Sequence, residues 1–238
     1  MEELKRRIID IVKEYKINDG IVKIRAKVLT PEEAIGNPEH DDYPIQKGRE
    51  RMVQADFDGD CGVAFTDMYG NFEGSLYGIL DMELTNNYRR AIFISTINAC
   101  LNRLGLIIKT MHCRDQGPVN CQKQVTGFIK EKFRNPRIFL AGFQPRLCEA
   151  LSRNFEIRTT DMDIDNIGKE INSVTVESSE NTDENIEWCD LIFATGTTFV
   201  NGTFRQFITE KKPTVFYGVT CAGPVHLLNL ARYCPEGF

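Results

Sequence analysis

The sequence predicts an α/β protein in which a parallel, doubly wound sheet follows an α+β segment, and three observations carry that reading. Past residue 135, short apolar runs alternate with helical stretches, the pattern of a parallel sheet with crossover helices. Before it, strand-like and helix-like runs are segregated. Within the second pattern stands Asp190-Leu191-Ile192-Phe193-Ala194-Thr195-Gly196-Thr197-Thr198-Phe199-Val200-Asn201-Gly202-Thr203, an apolar run that breaks into a dense hydroxyl, amide and glycine loop.

Leu4, Ile8, Ile11, Val12 and Tyr15 recur at helical spacing and predict an amphipathic helix over 2–15. Ile21, Ile24, Ala26 and Val28 to Leu29 predict a strand ended by Thr30-Pro31, and the segment from Pro31 to Gly48 reads as a long loop. Met52 to Phe57 and Gly62 to Thr66 are strand-like runs about Asp58-Gly59-Asp60, a hairpin signal of the Asp-Gly kind. Leu76 to Leu84 fits strand or helix. Ala91, Ile92, Ile94, Ser95, Ile97, Asn98, Leu101 and Leu104 give a helix over 89–106 with a broad apolar face, closed by Gly105.

A helix over about 122–132 is expected to connect the halves, dividing the chain into 1–134 and 135–238. Strands then follow at Ile138–Ala141, Phe155–Thr160, Val174–Val176, Leu191–Ala194 and Thr214–Tyr217. Helices are expected from Pro145 to Asn154 and, opened by a capping box at Thr203, from Thr203 to Lys211.

Composition excludes several classes. With 42% hydrophobic and 26% charged residues among 238, the chain is ordinary globular material. A formal charge of −5, a pI near 5.4 and no basic stripe argue against nucleic acid as a partner. No apolar stretch reaches the roughly 20 residues of a membrane span, and charges occupy the place of a signal peptide's apolar core, so a cytoplasmic protein without a membrane partner is expected. Its eight cysteines then read first as buried thiols rather than disulfides. Self-association is left open.

Three polar elements fall at strand carboxyl ends: Gly142-Phe143-Gln144-Pro145, Asp161 to Asp163, and Thr195 to Thr203. If the first and fourth strands of the second half are neighbours, two of these flank the topological switch point, where α/β sheets bind small molecules. The candidate ligand contacts are Gly142, Phe143, Pro145, Asp161, Asp163, Thr195, Gly196, Thr197, Thr198, Asn201 and Thr203. A dinucleotide fingerprint needs three glycines after the first strand; only Gly142 is present, which argues against NAD, while Asp161 or Asp163 retains the place of a ribose contact.

His112-Cys113-Arg114-Asp115, with Cys121 eight residues beyond Cys113, is where imidazole and thiol ligands crowd together. The spacing matches no structural zinc or iron–sulfur pattern, leaving a partial transition-metal site completed by the other domain or a mere interdomain linker. Cys221, in Thr220-Cys221-Ala222-Gly223-Pro224, reads as a packed thiol or as a metal ligand or nucleophile at the same sheet edge. His40, beside Asp41 and Asp42, reads as solvated.

With these residues in view, the chain resembles the heavy-metal-chelation family, a domain of unknown function joining an enolase-N-terminal-like domain to a Rossmann-like domain. The likeness is carried by Gly142-Phe143-Gln144-Pro145, by Asp161-Met162-Asp163-Ile164-Asp165-Asn166-Ile167-Gly168, by Thr195 to Thr203, and upstream by Arg90 to Ala99. It implies a ligand site between the two domains and a small-molecule or metal-chelate partner; one departure from the family pattern is the stop at Phe238 soon after Gly223-Pro224, which abbreviates any further element and leaves the last sheet edge open. Two functions follow. One is a binding protein in which Asn98, Asp161, Thr197 and Asn201 supply oxygen or amide contacts and Cys113 or Cys221 a soft ligand. The other is a transferase or lyase acting on a small anionic or nucleoside-like substrate.

Overall fold

A computed structural model of the protein describes residues 1–25, 36 and 51–238. The expected loop over 31–48, His40 and the strand residues past Arg25 lie outside that set. Helix Glu2–Glu14 (α1) is followed by strands Ile21–Arg25 (β1), Arg51–Phe57 (β2), Asp60–Thr66 (β3) and Phe72–Ser75 (β4). These form a four-stranded antiparallel sheet in the order β3-β2-β1-β4. Asp58 and Gly59, at φ 55° and 85°, make the two-residue turn that Asp-Gly announces. The ambiguous run after residue 75 resolves as helix Leu76–Asp81 (α2), because the Ser75 hydroxyl accepts the Gly78 N–H at 3.1 Å and so caps it.

Helix Asn87–Arg103 (α3) is buried continuously from Ala91 to Leu101. A helix covered all round needs partners on both sides. It has β2 and β3 on one side and the second half of the chain on the other. Helix Gly117–Phe133 (α4), five residues longer at its start than the sequence predicts, leads into the second sheet.

That sheet runs through Ile138–Ala141 (β5), Ile157–Asp161 (β6), Glu170–Ile171 (β7), Val174–Ser178 (β8), Leu191–Thr195 (β9), Thr214–Tyr217 (β10) and Ala231–Tyr233 (β11). Its order is β11-β10-β9-β5-β6-β8-β7, parallel throughout except for the β7–β8 edge hairpin. Numbering the six parallel strands along the chain gives 3-2-1-4-5-6, the doubly wound order with its switch point between β5 and β9. At the far edge Val215, Phe216 and Tyr217 pair with Ala231, Arg232 and Tyr233, which adds the three-residue β11 beyond β10. The crossover into β11 is helix Ala222–Leu228 (α8), and that into β9 is Thr182–Trp188 (α6); neither has a periodic apolar run long enough to announce it.

Alternate residues of the parallel strands feed two cores. Phe139, Ala141, Ile192, Ala194 and Phe216 join a cluster that runs through Ile94 and Ile97 of α3 to Leu4, Ile8 and Val12 of α1. Leu140, Phe193, Val215 and Tyr217 face Val125 and Ile129 of α4 and Leu147 and Leu151 of helix Pro145–Ser152 (α5). The sheet is therefore covered on both faces, and only its strand ends remain to receive a ligand. Among the described residues no helix is long and apolar enough to cross a membrane.

Candidate functional site

At the carboxyl ends of β5, β6 and β9 the chain encloses a chamber of about 530 Å³, within the size range of small-molecule sites. Its first wall is set by Gly142. At φ 91° the residue turns the chain sharply out of β5, and a Cβ there would sit 2.6 Å from Thr195 Cγ2. The Tyr217 hydroxyl donates to the Gly142 carbonyl at 2.7 Å, and Gln144 Oε1 accepts the Leu147 N–H to cap α5.

The second wall comes from Asp161, at the end of β6. Its Oδ2 accepts from the Phe143 N–H at 2.9 Å and from Asn166 Nδ2 at 3.2 Å, and its Oδ1 accepts from the Asp163 N–H at 2.8 Å. The third is the loop after β9. Thr198 Oγ1 donates to the Thr195 carbonyl at 2.8 Å, and Thr197 Oγ1 to Thr195 Oγ1 at 3.2 Å.

Here the helix expected over 203–211 gives way to a different local structure. A four-residue helix, Thr198–Asn201 (α7), ends at Gly202 with φ 85°, and a 3₁₀ turn follows at Phe204–Phe207. Thr203 caps no helix: its hydroxyl donates to Asn201 Oδ1 at 2.7 Å, and its N–H to the same oxygen at 3.0 Å. Among the described residues Asn201 Nδ2 has only Met162 Sδ, at 3.3 Å, as partner.

Thus Gly142, Phe143, Asp161, Asp163, Thr195, Gly196, Thr197, Thr198, Asn201 and Thr203 stand around one chamber. Pro145 and Asn98 do not. Pro145 is buried in the first turn of α5. Asn98 is fully buried and committed to the scaffold: Nδ2 donates to the carbonyls of Val63, Val219 and Thr220 at 2.9, 3.3 and 3.1 Å, while Oδ1 accepts the Gly223 N–H at 2.7 Å.

The thiol and imidazole candidates divide in the same way. His112, Cys113 and Cys121 line the chamber. Cys221 sits behind it, fully buried beneath Gly196, where an added Cβ would lie 3.0 Å from its Sγ. The Cys221 thiol donates to the Gly218 carbonyl at 3.3 Å, and burial pushes it up to about 12. It is a packed thiol. His112 Nδ1 lies 2.6 Å from the Cys113 carbonyl, which can only accept, so the proton is assigned to Nδ1 and the Nε2 lone pair is left for another partner. Burial depresses the imidazole below its ordinary range, and the hydrogen bond opposes that. The neighbouring Cys121 thiol, with burial, raises the Cys113 thiol, and the Cys113 thiol in turn lowers that of Cys121. All eight cysteines are free. Among the described residues no group of three His, Cys, Asp and Glu side chains has the arrangement to hold a metal.

Sequence reasoning expects the first half of the chain to roof the site but does not name the residues that do so. Phe65, Thr66 and Asp67, at the end of β3, and Asn87, whose Nδ2 donates to Asp67 Oδ1 at 2.6 Å, reach the chamber from the first half of the chain. The only signal for them is a polar pair ending a strand. Tyr233 and Cys234 enter from β11, a three-residue strand with no pattern of its own.

Comparison with known proteins places this geometry. Residues 128–222, from the end of α4 to the start of α8, match the DUF364 family model, described as putative heavy-metal chelation. No curated protein matches the chain. A solved structure of a DUF364 protein of unknown function from Pyrococcus horikoshii is 17% identical with a TM-score of 0.55, covering 92% of this chain and 78% of its own. Another, from Desulfitobacterium hafniense DCB-2, is 10% identical with a TM-score of 0.51 and covers 75% of this chain and 72% of its own. At such identities the likeness shows a shared fold.

Proposed function

From the match of residues 128–222 to the DUF364 family model we propose that the protein binds a small neutral or cationic ligand, free or as a metal chelate, in the chamber at the switch point. One observation carries the reading. The lining combines hydroxyls and amides with the carboxylates of Asp67, Asp161 and Asp163, and none of the described lining residues is a lysine or arginine. Such a wall attracts hydrogen-bond donors and positive charge. A bound anion about 6 Å from one carboxylate would pay roughly 3 kcal/mol at an effective dielectric near 20. In this reading residues 1–134 form a unit that roofs the sheet edge and 135–238 one that supplies its floor.

The alternative is an enzyme acting on a nucleoside-like substrate, supported by the 3-2-1-4-5-6 order and by an acid after the second parallel strand. Asp161, however, already spends both oxygens on Phe143, Asp163 and Asn166. That weighs against its holding a ribose.

Thermal unfolding in the presence of nucleosides, S-adenosylmethionine, pterins, nucleoside phosphates and divalent transition metals, singly and combined, tests the proposal. A ligand at 100 times its Kd should stabilise by about 2.7 kcal/mol. Neutral or cationic compounds should raise the melting temperature; stabilisation confined to anions, or by no class, overturns the reading. Equilibrium dialysis with elemental analysis then asks whether metal accompanies the ligand.

A further inference from the structure

Cys113 and Cys121 have a spacing foreign to zinc motifs, yet α4 brings them together. Gly117 and Cys121 are four residues apart on that helix and so share a face. Cys113, in the segment leading into α4, seats over Gly117: a Cβ at Gly117 would lie 2.6 Å from Cys113 Cβ and 3.1 Å from its Sγ. The bare glycine lets the Cys113 thiol lie along the helix face that carries Cys121, and each thiol shifts the acidity of the other. Both line the chamber. The Tyr233 hydroxyl donates to the Cys121 carbonyl at 2.6 Å, fixing that turn of the helix against β11.

We propose that this thiol pair is a binding site for a soft, two-coordinate metal ion of the Hg(II) type, reached through the chamber. The inference rests on the chamber being a binding site, and it adds the donor atoms and the class of ion. Coordination number selects the ion. Zinc takes four ligands, whereas the described residues assemble no three-donor group here. Two thiolates complete the shell of a linear Hg(II) ion, and thiolate is the donor that soft metals select. On binding, two S–H bonds break and two S–Hg bonds form, two protons leave to solvent, and no electron is transferred. The product is neutral, so burial of the site leaves no net charge to hold.

The test loads the full chain with Hg(II) in the presence of excess glutathione, removes small molecules, and measures mercury per chain. A monothiol strips ions from lone cysteines, while a preorganised pair holds its ion through a high effective thiol concentration. The wild type should retain one Hg(II), as should Cys221→Ser and Cys148→Ser. Cys113→Ser and Cys121→Ser should each retain less than about a tenth of that, for want of the chelate. Retention by either of these two variants at the wild-type level, or none by the wild type, overturns the proposal. Alkylation mapping of the mercury-loaded wild type needs no variant: Cys113 and Cys121 should be protected, and labelling of either refutes the site. The two readings fail separately. Mercury held by a protein that no chamber ligand stabilises sinks only the oxygen-lined reading, and ligand-induced stabilisation without mercury retention sinks only the thiol pair.

Discussion

Asn98 and Asn201 carry the same side chain and lie on the same side of the parallel sheet, yet they spend it differently. Asn98 is fully buried and engages three carbonyls and one N–H, tying α3 to β3 and to the segment before α8. Asn201 gives its oxygen to Thr203 and leaves its amide nitrogen with one thioether for a partner at the chamber wall. Hydrogen-bonding capacity spent inside the protein marks scaffold, and unspent capacity facing a cavity marks a site. Composition does not distinguish the two; geometry does.

The largest effect should come from breaking the scaffold asparagine. Asn98→Ala leaves the Gly223 N–H and up to three carbonyls buried without that partner, and a buried unsatisfied group costs about 1–3 kcal/mol. Urea unfolding should show a loss of roughly 3 kcal/mol or more. A loss under about 1 kcal/mol would mean that the groups find other partners and that the contrast with Asn201 is not one of commitment.

Next comes Gly142→Ala. The added methyl meets Thr195 Cγ2 at 2.6 Å, and φ 91° is disfavoured for any residue with a Cβ. A loss of about 1–3 kcal/mol is expected by denaturant unfolding, with weakened ligand-induced stabilisation because Thr195 must shift. Asn201→Ala reverses the balance: stability within about 0.5 kcal/mol of wild type, but a ligand-induced rise in melting temperature that shrinks or vanishes. Should Asn201→Ala unfold the protein while binding survives, the two asparagines would have to exchange roles.

How far these roles were legible depends on the length of the signal. Ile138–Ala141 and Thr214–Tyr217 are strands where their apolar runs say so, and Asp58-Gly59 turns where its φ preferences say so. The neighbouring of β5 and β9, on which the chamber depends, enters the sequence reading only as a condition taken from the usual strand order, and the pairing meets it. Elements set by tertiary partners were not legible. The Thr203 capping box fails because Gly202 ends α7 one residue earlier. Helix α4 begins at Gly117-Pro118, an opening that reads as a turn, so the sequence leaves Cys121 in a linker when it lies on the helix that carries it to Cys113. Asn98 misleads for a simpler reason: an amide on an apolar helix face looks alike whether it meets a ligand or a backbone.

Asp190 completes the comparison, because its capacity is spent and yet it lies at the surface. Its carboxylate accepts from the Arg137 N–H at 3.0 Å and from the same residue's Nε and Nη2 at 3.1 and 3.0 Å. These contacts hold its pKa at about 2, below the usual 3.8. Since the folded-state value is the lower one, the ionised carboxylate favours the native state above pH ~3.8, and the contribution is lost as pH falls through about 2. Both side chains are near half exposed, at 44% and 50%, so solvent screens most of the gain. Asp190→Asn should therefore produce the smallest loss of the four at neutral pH, and its urea midpoint should converge on that of the wild type by pH ~2. A loss rivalling that of Asn98→Ala would show that commitment alone, without burial, suffices to make a polar group part of the scaffold; convergence with a small loss shows that burial sets the magnitude.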